Sequence, residues 1–391
     1  MEVVSWIGSN ASMSGYMNAI KVAVLTFPFL AFLITIPYMI SQYRKYGAIH
    51  SLRTLIIYSF VLYLLAAYFL VILPLPSMEV VESLTTPRTQ LVPFAFIGDM
   101  VRDSHFVWSD PSTYLGAILN PSVYVVLYNI LLTIPFGMYL RYYFKKDLKT
   151  TILYTFLLSL FFELTQLSGL YFIYPRGYRL FDVDDLILNT SGGLLGYFLG
   201  GLLTLFLPKR EEIDERSYES GKHISFFRRV MSVGFDVLLY LLFSSITYFI
   251  FKNMLVSYFV YFVLIPFICN GKTLGQMYMK IQMVTKDDQK IKLFRLTIRQ
   301  FSSLFIYILL PFLVFYLMRN LTFMGENIYA LCFICSGFVL FLLYLISFIR
   351  LIKKKTLFHE MITGTKMISV IKYEPVKQKE IEKSDALEES E

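Results

Sequence analysis

The sequence predicts an all-α polytopic membrane protein of about nine transmembrane helices in two bundles, with the N-terminus outside and the C-terminus cytoplasmic. Three observations carry this. Hydrophobic residues make up 56% of the 391 residues and charged residues only 16%, against about a quarter charged in an ordinary soluble domain. The apolar residues, rich in Phe, Leu, Ile and Tyr, come in runs of about 20, the length that crosses a bilayer as helix. Lys and Arg are dense in every second segment between these runs, as they are when one side of a membrane holds the basic loops.

The candidate spans, in order, are 20–40, 54–75, 121–141, 150–172, 186–207, 230–250, 254–270, 299–318 and 327–349. The first has a polar leader with Lys21 alone for charge and no small-residue cleavage site, so it reads as a span and not as a removed signal. With the N-terminus outside, segments 41–53, 141–149, 208–229, 271–299 and everything from 350 face the cytoplasm. They hold 29 of the 36 Lys and Arg; Lys21, Arg88, Arg102, Arg176, Arg179, Lys252 and Arg319 make up the rest. The asymmetry reverses at no loop, so the span count and the orientation support each other. The net charge of +8 is therefore a topology signal. It sets basic residues beside anionic inner-leaflet lipids and calls for no nucleic-acid partner.

Two modules emerge. Residues 1–207 carry five spans and one long outer loop, 76–120, with Pro74, Pro76, Pro87, Pro93, Pro111 and Pro121 in or beside it. Segment 208–228, "PKREEIDERSYESGKHISFFR", reads as a charged, helix-breaking cytoplasmic linker. Residues 229–370 carry four spans and a basic cytoplasmic loop, in which 276–286 alternates apolar and polar residues as a short strand or interfacial segment would. The Lys/Glu-rich tail 371–391 is predicted to be disordered. No internal repeat of the kind found in inverted-repeat transporters is visible. Cys269, Cys332 and Cys335 lie in or at the ends of spans and read as small apolar residues, since a redox pair needs an accessible thiolate. His50, His105, His223 and His359 are scattered over different loops, without zinc-ligand spacing.

The polar residues concentrate between Phe161 and Gly193, "FFELTQLSGLYFIYPRGYRLFDVDDLILNTSGG". Span four rises from the cytoplasm, so Glu163 and Gln166 fall in its outer half. They are three apart and share a face. A carboxylate within a span faces the bundle interior or a water-filled cavity. With a span ending at 172, Glu163 lies roughly 13 Å below its outer end. Above it crowd Arg176, Arg179, Asp182, Asp184 and Asp185; Asn189 sits in the first turn of span five. Close carboxylates repel unless a cation, an arginine or a shared proton relieves them. The arginines can do so internally, with Asp184 and Asp185 capping the next helix. A divalent cation can too, with Asp182, Asp184 and Asp185 as hard oxygen ligands. Gly192, Gly196 and Gly200 form a tandem GxxxG that lets another helix approach closely; span four is the expected partner, which would bring Glu163 and Asn189 together.

The ordered set "LVPF", "NILLTIPFGMYL", "FELTQ" and "RLFDVDDLILNTSGGLLGY" resembles the VanZ-like family of bacterial membrane proteins, over about residues 20–207. The resemblance implies a cell-envelope role and, from the founding member, resistance to the glycopeptide teicoplanin. Its matching polar positions here are Glu163, Gln166, Arg179, Asp182, Asp184, Asp185 and Asn189.

In the second module, Arg229 at the cytoplasmic end of span six and Asp236 lie two turns apart on one face, roughly 10 Å along the axis. A buried Asp needs a partner, a proton or an ion, and Arg229 is the expected partner. With "GKTLG" and "LFHEMITGTK", these residues resemble the RDD family, and the module order resembles fusions in Gram-positive bacteria. Arg229 and Asp236 match the family's Arg and first Asp; Gly271, Thr273 and Gly275 match its GxTxG loop. Gln276 stands where Lys is usual and Glu360 where Asp is usual. That resemblance implies ion or small-solute transport in some members. "GKTLG" lacks the spacing of a phosphate-binding loop and reads as a turn at the inner surface.

Three functions follow as expectations. One is envelope protection, with the outer acidic site engaging lipid-linked envelope precursors, glycopeptides or another cationic compound. A second is ion-coupled or small-solute transport through Glu163 and Asp236. The third is a scaffold whose polar residues only join helices. An enzymatic form of the first would use the acids with Mg²⁺ on a phosphorylated polyprenol, but the sequence offers no evident nucleophile.

Overall fold

The computed structural model describes residues 13–103, 106–107, 109–320 and 326–372. His105 and nearly all of the tail read as disordered lie outside these. Nine helices follow the expected spans: α1 Met13–Tyr46, α2 Ser51–Ile72, α3 Pro121–Tyr142, α4 Leu148–Leu167, α5 Val183–Leu202, α6 Phe226–Phe251, α7 Met254–Ile268, α8 Leu293–Asn320 and α9 Glu326–Ile352. Among the described residues, seven are long and apolar enough to cross a membrane, so nine is an approximate count. The two that fall short do so for different reasons. The 20-residue α5 has the length, but Asp184, Asp185, Asn189 and its glycines dilute its apolar character. The apolar helix α7 is simply shorter. Large side chains such as Phe29 and Phe32 of α1 and Phe249 of α6 stand exposed, a surface that suits lipid.

The chain divides into two compact units. One runs to Thr35 and resumes over Ser51–Ile213; the other takes Ile36–His50 and begins again at Asp214. The break at 213 lies inside the charged segment 208–228. That segment is not helix-breaking as expected: Arg210–Gly221 is helical. Glu211 and Glu212 sit at the positive end of the helix dipole. Ile213 is buried against Ile56, Tyr142 and Tyr143.

In the first unit, α3 and α5 pack closest. A methyl group at Gly192 would run into the Ile130 carbonyl, one at Gly196 into that of Ile134, and one at Gly137 into that of Gly193. Gly200 sits over Met138 and Arg141. The tandem GxxxG therefore docks span three, and not span four as expected, because α3 supplies a glycine of its own at the crossing. Span four uses the neighbouring edge of α5, where Thr155 fills the space above Gly193. Thr151, Thr155, Ser159 and Glu163 recur every four residues, so they form one buried stripe down α4. Helix α4 ends at Leu167, earlier than the expected 172. Gly169, Leu170, Tyr171 and Phe172 all take positive φ, and the chain turns there. Glu163 is thus about one helical turn from the helix end. Two short strands, β1 Thr89–Gln90 and β2 Phe181–Asp182, pair in parallel and tie the proline-rich loop to the start of α5.

In the second unit, the alternating segment is strand β3 Ile281–Thr285. It pairs antiparallel with β4 Thr365–Ser369, with Ile281 opposite Ser369 and Thr285 opposite Thr365. Its inward residues join Tyr43, Ile224 and Met279 in one cluster and Val263 and Leu296 in another. Arg228 is wholly buried beside this sheet. It donates to the carbonyls of Met279 (2.9 Å), Gly221 (3.1 Å) and Lys280 (2.6 Å) and to the Ser369 hydroxyl (3.0 Å). A guanidinium offers five donors in fixed directions, which suits it to gathering several loops.

Candidate functional site

The acidic cluster is built where α2, α4 and α5 meet the loops. Helix α2 ends before Pro74, leaving carbonyls without intrahelical partners. Gln166 Nε2 and Arg179 Nη1 both donate to the Val71 carbonyl, at 2.9 and 3.0 Å. Tyr174 donates to the Pro76 carbonyl at 2.8 Å. Arg176 reaches the Leu84 carbonyl and, at 2.6 Å, that of Thr86. Both arginines therefore serve carbonyls. The internal Arg–Asp pairing that the sequence allowed does not form among the described residues.

The carboxylates meet neutral donors instead. Glu163 Oε2 accepts the Asp182 N–H at 3.0 Å. Asp182 caps α5 by accepting the Asp184 N–H at 2.8 Å. Asp184 turns the other way and receives the N–H groups of Phe94 (2.6 Å) and Phe96 (2.9 Å) at the start of the short helix Ala95–Asp103. Asp185 receives the Asn129 amide from α3. One turn deeper, Asn189 donates to Ser159 Oγ at 2.9 Å, and Thr133 donates to the Asn189 carbonyl at 2.6 Å. Asn189 Oδ1 is buried with no partner in the protein. Glu163, Asn189 and Ser159 are buried, while Asp182 is half-buried. Burial holds the Asp182 carboxyl above its ordinary range, and the charges of Asp184 and Asp99 push the same way.

The structure thus gathers Glu163, Asp182, Asp185 and Asn189, and sets Gln166, Arg179 and Asp184 in supporting positions around them. Asn129, which opens the motif "NILLTIPFGMYL", belongs to the same group, as do Thr133 and Ser159, which were not singled out from sequence. Ser159 had a signal, its place four residues before Glu163. The metal set Asp182, Asp184 and Asp185 does not converge: each aspartate is turned to a different donor. Among the described residues, no three acidic, histidine or cysteine side chains come together to hold a cation.

The second unit has its own buried charges. The expected Arg229–Asp236 pair is absent. Asp236 accepts from Thr273 Oγ1 (2.5 Å), the Gly275 N–H (2.8 Å) and the Tyr261 hydroxyl (3.2 Å). These three neutral donors fill its carboxylate and pin the GxTxG loop to α6. A Cβ at Gly275 would lie 2.8 Å from the Asp236 carboxyl carbon, so the loop needs glycine there. Gln276 completes a capping box by accepting the Thr273 N–H at 3.1 Å, which a lysine could not do. Arg229 turns instead to Glu360, 3.7 Å away, which Arg299 also contacts at 3.1 Å. Arg299 counted in the sequence only as a cytoplasmic charge.

Residues 60–207 match the model of the VanZ/LLP1 family, and residues 223–364 match that of the RDD family. No curated protein and no solved structure matches the chain.

Proposed function

From a chain that joins a VanZ-like domain to an RDD domain, we propose a protein that lowers sensitivity to envelope-active compounds through the acidic cluster at the outer end of α4 and α5. The chain is a multi-pass membrane protein of the cell envelope. One observation carries the reading. Glu163, Asp182 and Asp185 lie together while Arg176 and Arg179 are engaged by backbone carbonyls. Arg179 is near enough to act on Glu163 and Asp185 but makes no ion pair with either among the described residues, and carboxylates crowded in this way hold a proton or attract a cation. A glycopeptide such as teicoplanin, or a lipid-linked precursor carrying an amine, supplies that cation at the outer leaflet. The Gram-positive envelope is the setting that the module order suggests.

Ion-coupled transport is the second reading, supported by the stripe Thr151, Thr155, Ser159 and Glu163 along α4 and by the unpartnered Asn189 Oδ1. Deletion and complementation separate the two. Protection predicts a lower inhibitory concentration of teicoplanin or a related envelope antibiotic in the deletion strain, restored by the full chain. Transport predicts a growth defect under salt or pH stress with antibiotic sensitivity unchanged.

A further inference from the structure

Among the described residues, the second unit buries positive charge that its buried acids do not balance. Arg229 comes from the first turn of α6, Arg299 from α8, and His359 and Glu360 from the short helix Phe358–Thr363. They are 8%, 1%, 6% and 0% exposed, so the group is shielded from water. Glu360 is the carboxylate between the arginines. Its Oε1 accepts from Arg299 Nη2 at 3.1 Å, and its Oε2 accepts the Leu357 N–H at 2.8 Å. Arg229 Nη1 stands 3.7 Å from Oε2, too far for a good hydrogen bond. Asp236, the buried acid further along α6, is filled by Thr273, Gly275 and Tyr261. His359 stays neutral, because burial and then Arg299 and Arg229 press its pKa down to about 3. Two guanidinium charges therefore share one carboxylate.

Polar atoms are left over on these residues and on Ser232, one turn along α6 from Arg229. Arg229 Nε and Nη1, Arg299 Nε, His359 Nδ1 and Ser232 Oγ are all buried without a hydrogen-bond partner in the protein. Ser232 follows Arg229 by three residues and shares its face of α6. Buried donors are nearly always satisfied, and a buried charge left uncompensated is strongly destabilising. The N-terminal end of α6 adds its positive dipole to the same region. A water would accept hydrogen bonds here but bring no charge.

We propose that Arg229, Arg299, His359 and Ser232 bind a small anion, a halide or an oxyanion such as phosphate, beside Glu360. The guanidinium fork suits an oxyanion in particular. The phosphate of an anionic phospholipid offers the same chemistry as a free ion, and the inner leaflet is where such lipids meet basic residues.

The test uses the purified full chain, delipidated in a neutral detergent, melted at constant ionic strength in gluconate, chloride or phosphate. A parallel series adds phosphatidylglycerol or phosphatidylcholine to the micelles. A bound free anion raises the melting temperature saturably with chloride or phosphate over gluconate; a bound lipid phosphate does so with phosphatidylglycerol alone. Arg299→Gln should weaken the apparent affinity about ten- to a hundred-fold. Ser232→Ala should weaken it a few-fold, and carries the test if the arginine variant does not fold. Glu360→Gln removes the competing carboxylate, so it should tighten anion binding and be rescued by it. A melting temperature indifferent to anion and lipid, in both the natural chain and Glu360→Gln, would overturn the site.

Discussion

Asp182 shows how little of a residue's role its type decides. Asp182, Asp184 and Asp185 stand within four positions, yet one caps its own helix, one caps a helix in the preceding loop, and one takes an amide from α3. Only Asp182 lies before the helix, where burial raises its pKa. An acid whose folded pKa is raised binds its proton more tightly folded than unfolded. Its contribution to stability is therefore full below the ordinary value of 3.8 and is lost as pH rises through the folded value. Asp182→Asn keeps the capping oxygen and removes the titration. Thermal melting of both proteins across pH should show the variant gaining on the natural chain from about pH 4 upward, with the difference levelling off above the folded value. A difference that stays constant with pH would mean that Asp182 titrates as it does in the unfolded chain.

The element scale is governed by α3 against α5. Their backbones approach so closely at Gly196 that one methyl group meets the Ile134 carbonyl carbon at 2.9 Å. Gly196→Ala must part the helices there, and overpacking of this kind costs roughly 1–3 kcal/mol. Gly201 has open space around the equivalent position, so Gly201→Ala is the control. Folded fraction in a denaturing-detergent titration should fall for the first and hold for the second. Equal behaviour would mean that the α3–α5 crossing is looser than these approaches imply. The same crossing sets Asn129 against Asp185 and Thr133 against Asn189, so the acidic cluster depends on it.

At the scale of the whole molecule, hydropathy and charge are properties of the chain itself, and they made the spans and their order legible in advance; Glu163 and Asn189 were expected together through a GxxxG contact with span four, but α3 takes that contact. Partner choice was not legible, because it depends on what other segments bring. Arg229 and Asp236 share a face, yet Glu360 arrives near one and the GxTxG loop near the other. The end of α4 was hidden because Leu170 and Tyr171, residues that usually extend a span, take positive φ there. Orientation is checked by labelling. In a chain with its three native cysteines replaced by serine, Ser109→Cys should react with an impermeant thiol reagent on intact cells, and Lys290→Cys only after lysis. The opposite pattern would turn the acidic cluster to the cytoplasm and remove the basis for envelope protection. The most direct test of that protection is Glu163→Gln, which keeps the side chain's shape and its acceptor for the Asp182 N–H while removing the charge. At membrane levels matched to the natural chain, the complemented deletion strain should revert to the antibiotic sensitivity of the uncomplemented one. Full protection by Glu163→Gln would contradict the account and leave Glu163 as a packing residue.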